Sequence, residues 1–209
     1  MWLSPRTTLV DVTLLRRRRW LLLIGLLAAC ALLAGGCVGK DAVDQNGGNQ
    51  FGYVSANEKG SLIAVSKRKQ VGPVHGDLID GGSYQLSSDK GHVVVLNFFA
   101  SWCGPCQTET PQFDSVYRAR KAAGVRFVGM DVKEASQSAA RSWLTAKGVS
   151  FPVVYDPNGK TALQLGRVPL SALPSTVLVD KQGRVAAVYF GELLPADLEP
   201  VLSDLSNEA

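Results

Sequence analysis

Hydrophobic and polar positions divide the chain into three stretches of different character. The first holds one long apolar run, Trp20 to Ala34, directly behind the block Arg16 to Arg19. The second, residues 38–60, is polar and Gly-rich, with Asp41, Asp44, Gln45, Asn46, Gly47, Gly48 and Asn49 close together. It has little to bury and reads as a flexible tether. In the third, 61–209, strand-like and helix-like patterns alternate. Folding is expected to begin between residues 51 and 66 and to be firm by Val93.

Within the third stretch, Val93 to Phe99 (VVVLNFF) is a continuous β-branched and aromatic run of strand length. That pattern suits a central strand buried on both faces. Thr108 to Ala123 carries Phe113, Val116, Tyr117 and Arg120 at helical spacing, and Gly124 stops it. Val125 to Asp131 predicts a second strand. Ala135 to Lys147 predicts a second helix, with Ala139, Trp143 and Leu144 on one face and Gly148 at its end. Phe151 to Tyr155 is a short strand, and Asp156 to Gly159 a turn. Thr176 to Val179 and Val185 to Phe190 read as a hairpin around the turn Asp180 to Arg184, and Pro195 to Asn207 as a closing helix. Strand–helix alternation demands parallel crossovers, and the hairpin demands an antiparallel edge. A mixed central sheet with helices on both faces meets both demands.

Composition and charge change this picture only at the N-terminus. The chain has 209 residues, 46% apolar and 19% charged, which suits one globular domain with a tail. Its net charge of +4 lies entirely in residues 1–37, which hold five arginines (Arg6 and Arg16 to Arg19) and one acid (Asp11). The remainder balances 17 basic against 17 acidic residues. Phosphate binding needs a local basic surplus, so no nucleic-acid partner is expected. A positive block, an apolar core and small residues make up an export signal over 1–37, which places the following chain outside the cytoplasm. Leu33-Ala34-Gly35-Gly36-Cys37 resembles the lipobox of bacterial lipoproteins, which implies lipid attachment at Cys37. Leu27-Ala28-Ala29-Cys30 also fits, so Cys30 is the alternative, and an uncleaved anchor helix is a further one.

The chemistry is expected at Trp102-Cys103-Gly104-Pro105-Cys106, between a buried strand and a helix. A zinc site needs about four ligands. Here there is one C-x-x-C pair, and only His75 and His92 remain, both before it and without paired spacing. An inert structural disulfide closing so short a loop removes little chain entropy. A redox pair has a mechanism instead. At the first turn of a helix, unpaired N–H groups and the positive dipole end favour a thiolate. A thiol of pKa near 8.5 falls to about 7 in such a place, about 2 kcal/mol of differential stabilisation. Cys103 is then exposed and nucleophilic, while Cys106, one turn further in, is more buried. Cys103 attacks a disulfide and Cys106 resolves the mixed disulfide. Pro105 suits the first helical turn, and Gly104 leaves room for the incoming sulfur. No prosthetic cofactor and no metal are required, because the cysteine pair is itself the redox centre.

At these residues the chain resembles the thioredoxin superfamily, and within it the TlpA/ResA group of extracytoplasmic thiol-disulfide oxidoreductases. The resemblance covers roughly 75–205 and rests on Val94 to Cys106, on Glu109 and Pro111, and on Leu173-Pro174-Ser175-Thr176. It implies an α/β thioredoxin-like fold, with a central mixed β-sheet flanked by helices on both faces and the family's inserted strand and helix within 132–172. It also implies that Pro174 is a cis-proline facing the cysteine pair, that Glu109 moves a proton to or from Cys106, and that Pro111 kinks its helix. Asn97 stands where cytoplasmic thioredoxins carry a buried aspartate, which puts more weight on Glu109. Trp102 is expected to shield the thiolate; ordinary packing is its alternative.

The resemblance implies a reductase of protein disulfides on the outer face of the bacterial cell membrane. Its electrons would come from a membrane thiol carrier of the CcdA/DsbD type, and apocytochrome c is a candidate client. The same cysteines serve an oxidase or isomerase of secreted proteins equally well. A peroxidase would need a Thr-x-x-Cys site that is not seen. A copper-binding module of the Sco kind would need Cys-x-x-x-Cys and a distal histidine, but no histidine follows His92. A non-catalytic tethered binding module remains the last alternative.

Overall fold

The computed structural model describes residues 59–166 and 168–208. The export signal, Cys30, Cys37 and nearly all of the tether lie outside the described residues. The described elements are β1 (His75–Asp77), β2 (Ser83–Gln85), β3 (Val93–Phe99), α1 (Gly104–Arg120), β4 (Val125–Val132), α2 (Gln137–Lys147), β5 (Val153–Asp156), α3 (Lys160–Gln164), β6 (Ser175–Val179), β7 (Val185–Phe190) and α4 (Pro195–Asn207).

β3 is buried at every position, as a strand covered on both faces must be, and it lies at the centre of the five-stranded order β5-β4-β3-β6-β7. β4 pairs parallel with β3 and with β5, whereas β6 and β7 run antiparallel, so the sheet is mixed as predicted. Alternate residues of β3 feed two separate cores. Val95 and Phe99 face one with Phe113 and Val116 of α1, Ala140 and Leu144 of α2, and Leu198, Val201, Leu202 and Leu205 of α4. Val94, Leu96 and Phe98 face the other with Tyr84 of β2 and Ala162 of α3. Each large buried side chain contributes about 1.5–3 kcal/mol, so both faces are firmly closed.

α2 ends as its pattern foretold. Gly148 takes φ 68° as its C-cap, and Val149 N donates to Leu144 O at 3.0 Å. Ser136 caps its start by accepting from Ala139 N at 3.3 Å, two residues later than the sequence suggests. α2, β5 and α3 lie within 132–172, where an additional strand and helix were expected. α1 begins at Gly104, four residues before the apolar periodicity shows it, because its first turn is the redox motif and not an amphipathic stripe. Its last turn tightens into a 3₁₀ turn, Lys121–Ala123, before Gly124. The β1–β2 hairpin and α3 have no counterpart in the predicted elements.

Candidate active site

β3 delivers the chain to one edge of the domain and stops at Phe99. Residues Ala100 to Cys103 then form a turn closed by Cys103 N donating to Ala100 O at 3.1 Å. Cys103 is the N-cap of α1, with extended φ −78° and ψ 113°, and its Sγ accepts from Cys106 N at 3.3 Å. A sulfur stands where a Ser or Asp oxygen commonly caps a helix, among N–H groups that have no intrahelical partner. Pro105 occupies the first turn, where a missing N–H costs nothing. Cys103 and Cys106 are joined in a disulfide with S–S 2.04 Å.

Cys106 is fully buried, as expected. Cys103 is less open than the sequence suggests: in this oxidised state only 6% of it is exposed, because its sulfur is bonded back against the helix start. Gly104, Pro105 and Trp102 are the exposed residues of the motif. Trp102 is 58% exposed, and its Nε1 donates to Lys133 O at 3.1 Å. It therefore stands beside the disulfide on the surface and does not pack in the core.

Glu109 lies one turn beyond Cys106 on the same helix and is 0% exposed. It is therefore no solvated helix carboxylate. Its Oε2 accepts from Asn97 Nδ2 at 2.7 Å, and its Oε1 accepts from Leu193 N at 2.8 Å. Asn97 Nδ2 also reaches Thr176 Oγ1 at 3.2 Å. Burial raises the Glu109 carboxyl from 4.5 to about 7, with those two donors pulling the other way. The residue at the aspartate position of cytoplasmic thioredoxins thus becomes a donor that holds a carboxyl supplied by the helix.

The Leu173–Pro174 bond is cis, and Pro174 O accepts from Gly191 N at 2.8 Å. Pro174 is buried at the start of β6, next to the strand that leads to the cysteines. Pro111 lies inside α1, which runs on through it to Arg120.

Sequence reasoning missed a corner at the end of β4. Glu134, 7% exposed, accepts from Ser101 N at 3.0 Å, and Asp131 is fully buried beside Phe99 in the β3–β4 register. Burial, and the charge of Glu134 after it, raise the Asp131 carboxyl from 3.8 to about 7. The available signal was an acid inside the apolar run VRFVGMDV.

The family model for Redoxin matches residues 75–202. The thiol-disulfide oxidoreductase ResA of Bacillus subtilis (strain 168) is 36% identical over 128 residues, covering 61% of this chain and 67% of that protein. ResA of Bacillus thuringiensis (strain Al Hakam) is 31% identical over 128 residues, covering 61% and 72%. A secreted thiol-disulfide isomerase from Corynebacterium glutamicum superposes with a TM-score of 0.70 at 31% identity, covering 75% of this chain and 96% of its own. A DsbF homologue from Corynebacterium diphtheriae gives 0.68 at 32%, covering 73% and 97%. The chain belongs to the Redoxin family, within the thioredoxin superfamily, and is a thiol-disulfide oxidoreductase of the TlpA/ResA type.

Proposed function

We propose that this protein is a membrane-tethered, extracytoplasmic reductase of protein disulfides, with apocytochrome c as a candidate client. The observation that carries the reading is the Cys103–Cys106 pair at the start of α1, with the buried Glu109 one turn behind it. The ResA relatives and the export-type N-terminus support the direction and the compartment. Lipid attachment at Cys37, or at Cys30, supplies the tether, and a membrane thiol carrier of the CcdA/DsbD type supplies electrons.

In the reduced enzyme Cys103 is the thiolate and Cys106 the thiol. The Cys103 sulfur attacks one sulfur of the client disulfide. That bond breaks, its electron pair leaves on the second client sulfur, and this thiolate takes up a proton. Cys106 loses its proton, with Glu109 as acceptor, and attacks the Cys103 sulfur. The mixed disulfide breaks, the first client sulfur leaves with its electron pair and is protonated, and Cys103–Cys106 is oxidised. Two electrons and two protons reach the client. Pro174 presents backbone to the client, and Trp102, Gly104 and Pro105 border the sulfur.

A second reading is an oxidase or isomerase, favoured by the likeness to the secreted isomerase of C. glutamicum. The Cys103–Cys106 reduction potential, measured on the full-length protein in detergent against dithiothreitol and glutathione buffers, separates the two. A reductase is expected near or below about −250 mV, close to thioredoxin. A value of about −120 to −180 mV overturns that direction and leaves the oxidase or isomerase. Failure to form a reversible disulfide would leave a non-catalytic tethered module.

A further inference from the structure

The residues that end β4 grip the turn carrying Cys103. Ser101 N donates to Glu134 Oε2 at 3.0 Å, and Trp102 Nε1 donates to Lys133 O at 3.1 Å. Lys133 in turn donates from its N to Pro157 O at 3.2 Å and from its Nζ to Leu170 O at 2.9 Å. Tyr155 Oη donates to Glu134 O at 3.3 Å. Lys133 adopts φ 55°, the one left-handed non-glycine among the described residues. Such a backbone persists only where its surroundings hold it. One short segment therefore ties the cysteine turn on one side to the stretch leading toward Pro174 on the other.

Glu134 is the acidic member of this grip. Its carboxylate is almost wholly buried, and it takes up an N–H two residues before Cys103, inside the turn that Cys103 N closes onto Ala100 O. A buried carboxylate acts through a low dielectric, so its charge is felt more strongly than a surface one. The start of α1 favours a thiolate at Cys103; a carboxylate bonded into the same turn opposes it.

We propose that Glu134 is a positioning residue of the redox site, pinning the turn that presents Cys103 and restraining ionisation of its thiol. The role concerns the thiol-disulfide exchange itself and holds whichever way electrons flow in the cell. Its balance is that of the exchange: the Cys103 electron pair forms the new S–S bond, and the leaving sulfur carries away a pair and a proton. Glu134 takes no part in that transfer; it sets how readily Cys103 gives up its proton beforehand. The groups shown against Glu134 are Asp131 from β4, Tyr155 from β5 and the Ser101 N–H of the cysteine turn, while the Lys133 ammonium is engaged with Leu170 O. Asp131 has no hydrogen-bond partner on either oxygen, and burial favours its neutral form.

The test uses the full-length reduced protein and two variants, Glu134→Gln and Glu134→Ala. Glutamine keeps an acceptor for Ser101 N and removes the charge; alanine removes both. The rate of Cys103 carboxamidomethylation by iodoacetamide is followed against pH, and insulin reduction gives kcat and KM. Glu109 is present in all three proteins; because the Glu134 charge itself raises the Asp131 carboxyl, the comparison is repeated with Asp131→Asn in every protein, which takes that titration out. Glu134→Gln is expected to move the Cys103 midpoint down by at least half a pH unit at an unchanged KM. Glu134→Ala is expected to move it down as well and to raise KM several-fold. A merely structural role would lower the stability of both variants and leave the midpoint in place. A wild-type midpoint in Glu134→Gln overturns the proposal, and that variant decides alone if the alanine protein does not fold.

Discussion

Glu109 is where the chemistry and the stability of this protein meet in one side chain. Its carboxyl is raised to about 7 by burial, so the folded chain binds this proton more tightly than the unfolded chain does. A raised carboxyl stabilises the fold most below its ordinary 4.5, and that contribution is lost as pH rises through about 7. Asp131 acts in the same sense. The midpoint of urea unfolding of the oxidised protein is therefore expected to fall between pH 5 and pH 8, and to fall less in Glu109→Gln. An unchanged slope in that variant would mean that Glu109 stays ionised in the fold. Glu109→Gln is also expected to slow resolution by Cys106 about a hundredfold, the low end for a positioned acid or base, so that trapped mixed disulfide accumulates in quenched samples. The position of Glu109 behind Cys106 was legible, because helical spacing is a local rule. Its donors were not: Asn97 comes from β3 and Leu193 N from the approach to α4, and only packing brings them together.

At the scale of elements, β4 shows how the sheet makes room for the insertion. Gly129 sits in mid-strand, and a Cβ there would lie 2.8 Å from Phe99 Cε1 and 3.0 Å from Val153 Cγ2. Both neighbours are buried and packed, so neither can give way cheaply. Gly129→Ala is expected to destabilise the fold by about 1–3 kcal/mol, read as a lower urea midpoint at unchanged m. A neutral result would show that β5 can shift outward to admit the methyl group. Long, strongly patterned elements were legible: β3 from its unbroken apolar run, α2 from Leu144, Trp143 and Gly148, although Ala140 and not the expected Ala139 is the buried alanine because it lies on the same face as Leu144, and β6, β7 and α4 close to their ends. Three-residue strands such as β1 and β2 carry too few alternations to read, and their connection is tied to β5, where Ile79 N donates to Val153 O at 2.9 Å. α3 is a helix of five residues, and it owes its place to Asp156, whose Oδ1 and Oδ2 accept from Lys160 N and Thr161 N at 2.9 and 2.7 Å.

Across the whole domain, the beginning and end of the described chain are tied at one buried cation. The Arg68 side chain is almost fully enclosed; its Nη1 donates to Asp180 Oδ2 at 3.2 Å, its Nη2 to Glu208 Oε1 at 2.7 Å, and its Nε to Ile63 O at 2.9 Å. The segment behind it lies along β7, with Ile63 N donating to Ala186 O at 2.8 Å and Val185 N to Lys69 O at 2.9 Å. That covers part of an edge that would otherwise offer unpaired backbone. Breaking one partner of a buried pair costs about 3–5 kcal/mol. Asp180 keeps the Arg184 guanidinium at 2.8 Å and the N–H groups of Gln182 and Arg184, so Arg68→Ala is expected at the low end of that range. Thermal unfolding of the variant checks this, and a loss below about 1 kcal/mol would reduce the latch to an ordinary surface pair.

Local rules made these features readable from the residues alone: the central strand, the helix that follows it, the stops at Gly124 and Gly148, the closing hairpin and helix, and a cysteine pair where a strand gives way to a helix start. Periodicity and turn chemistry act over a few residues and survive without a fold. The tertiary structure decided what depends on distant segments meeting: the enclosure of Glu109, the hold of Lys133 and Glu134 on the Cys103 turn, the covered state of Cys103 in its disulfide, and the burial of Arg68. Those features arise from burial and from partners far apart in the chain, and neither exists until the sheet has closed.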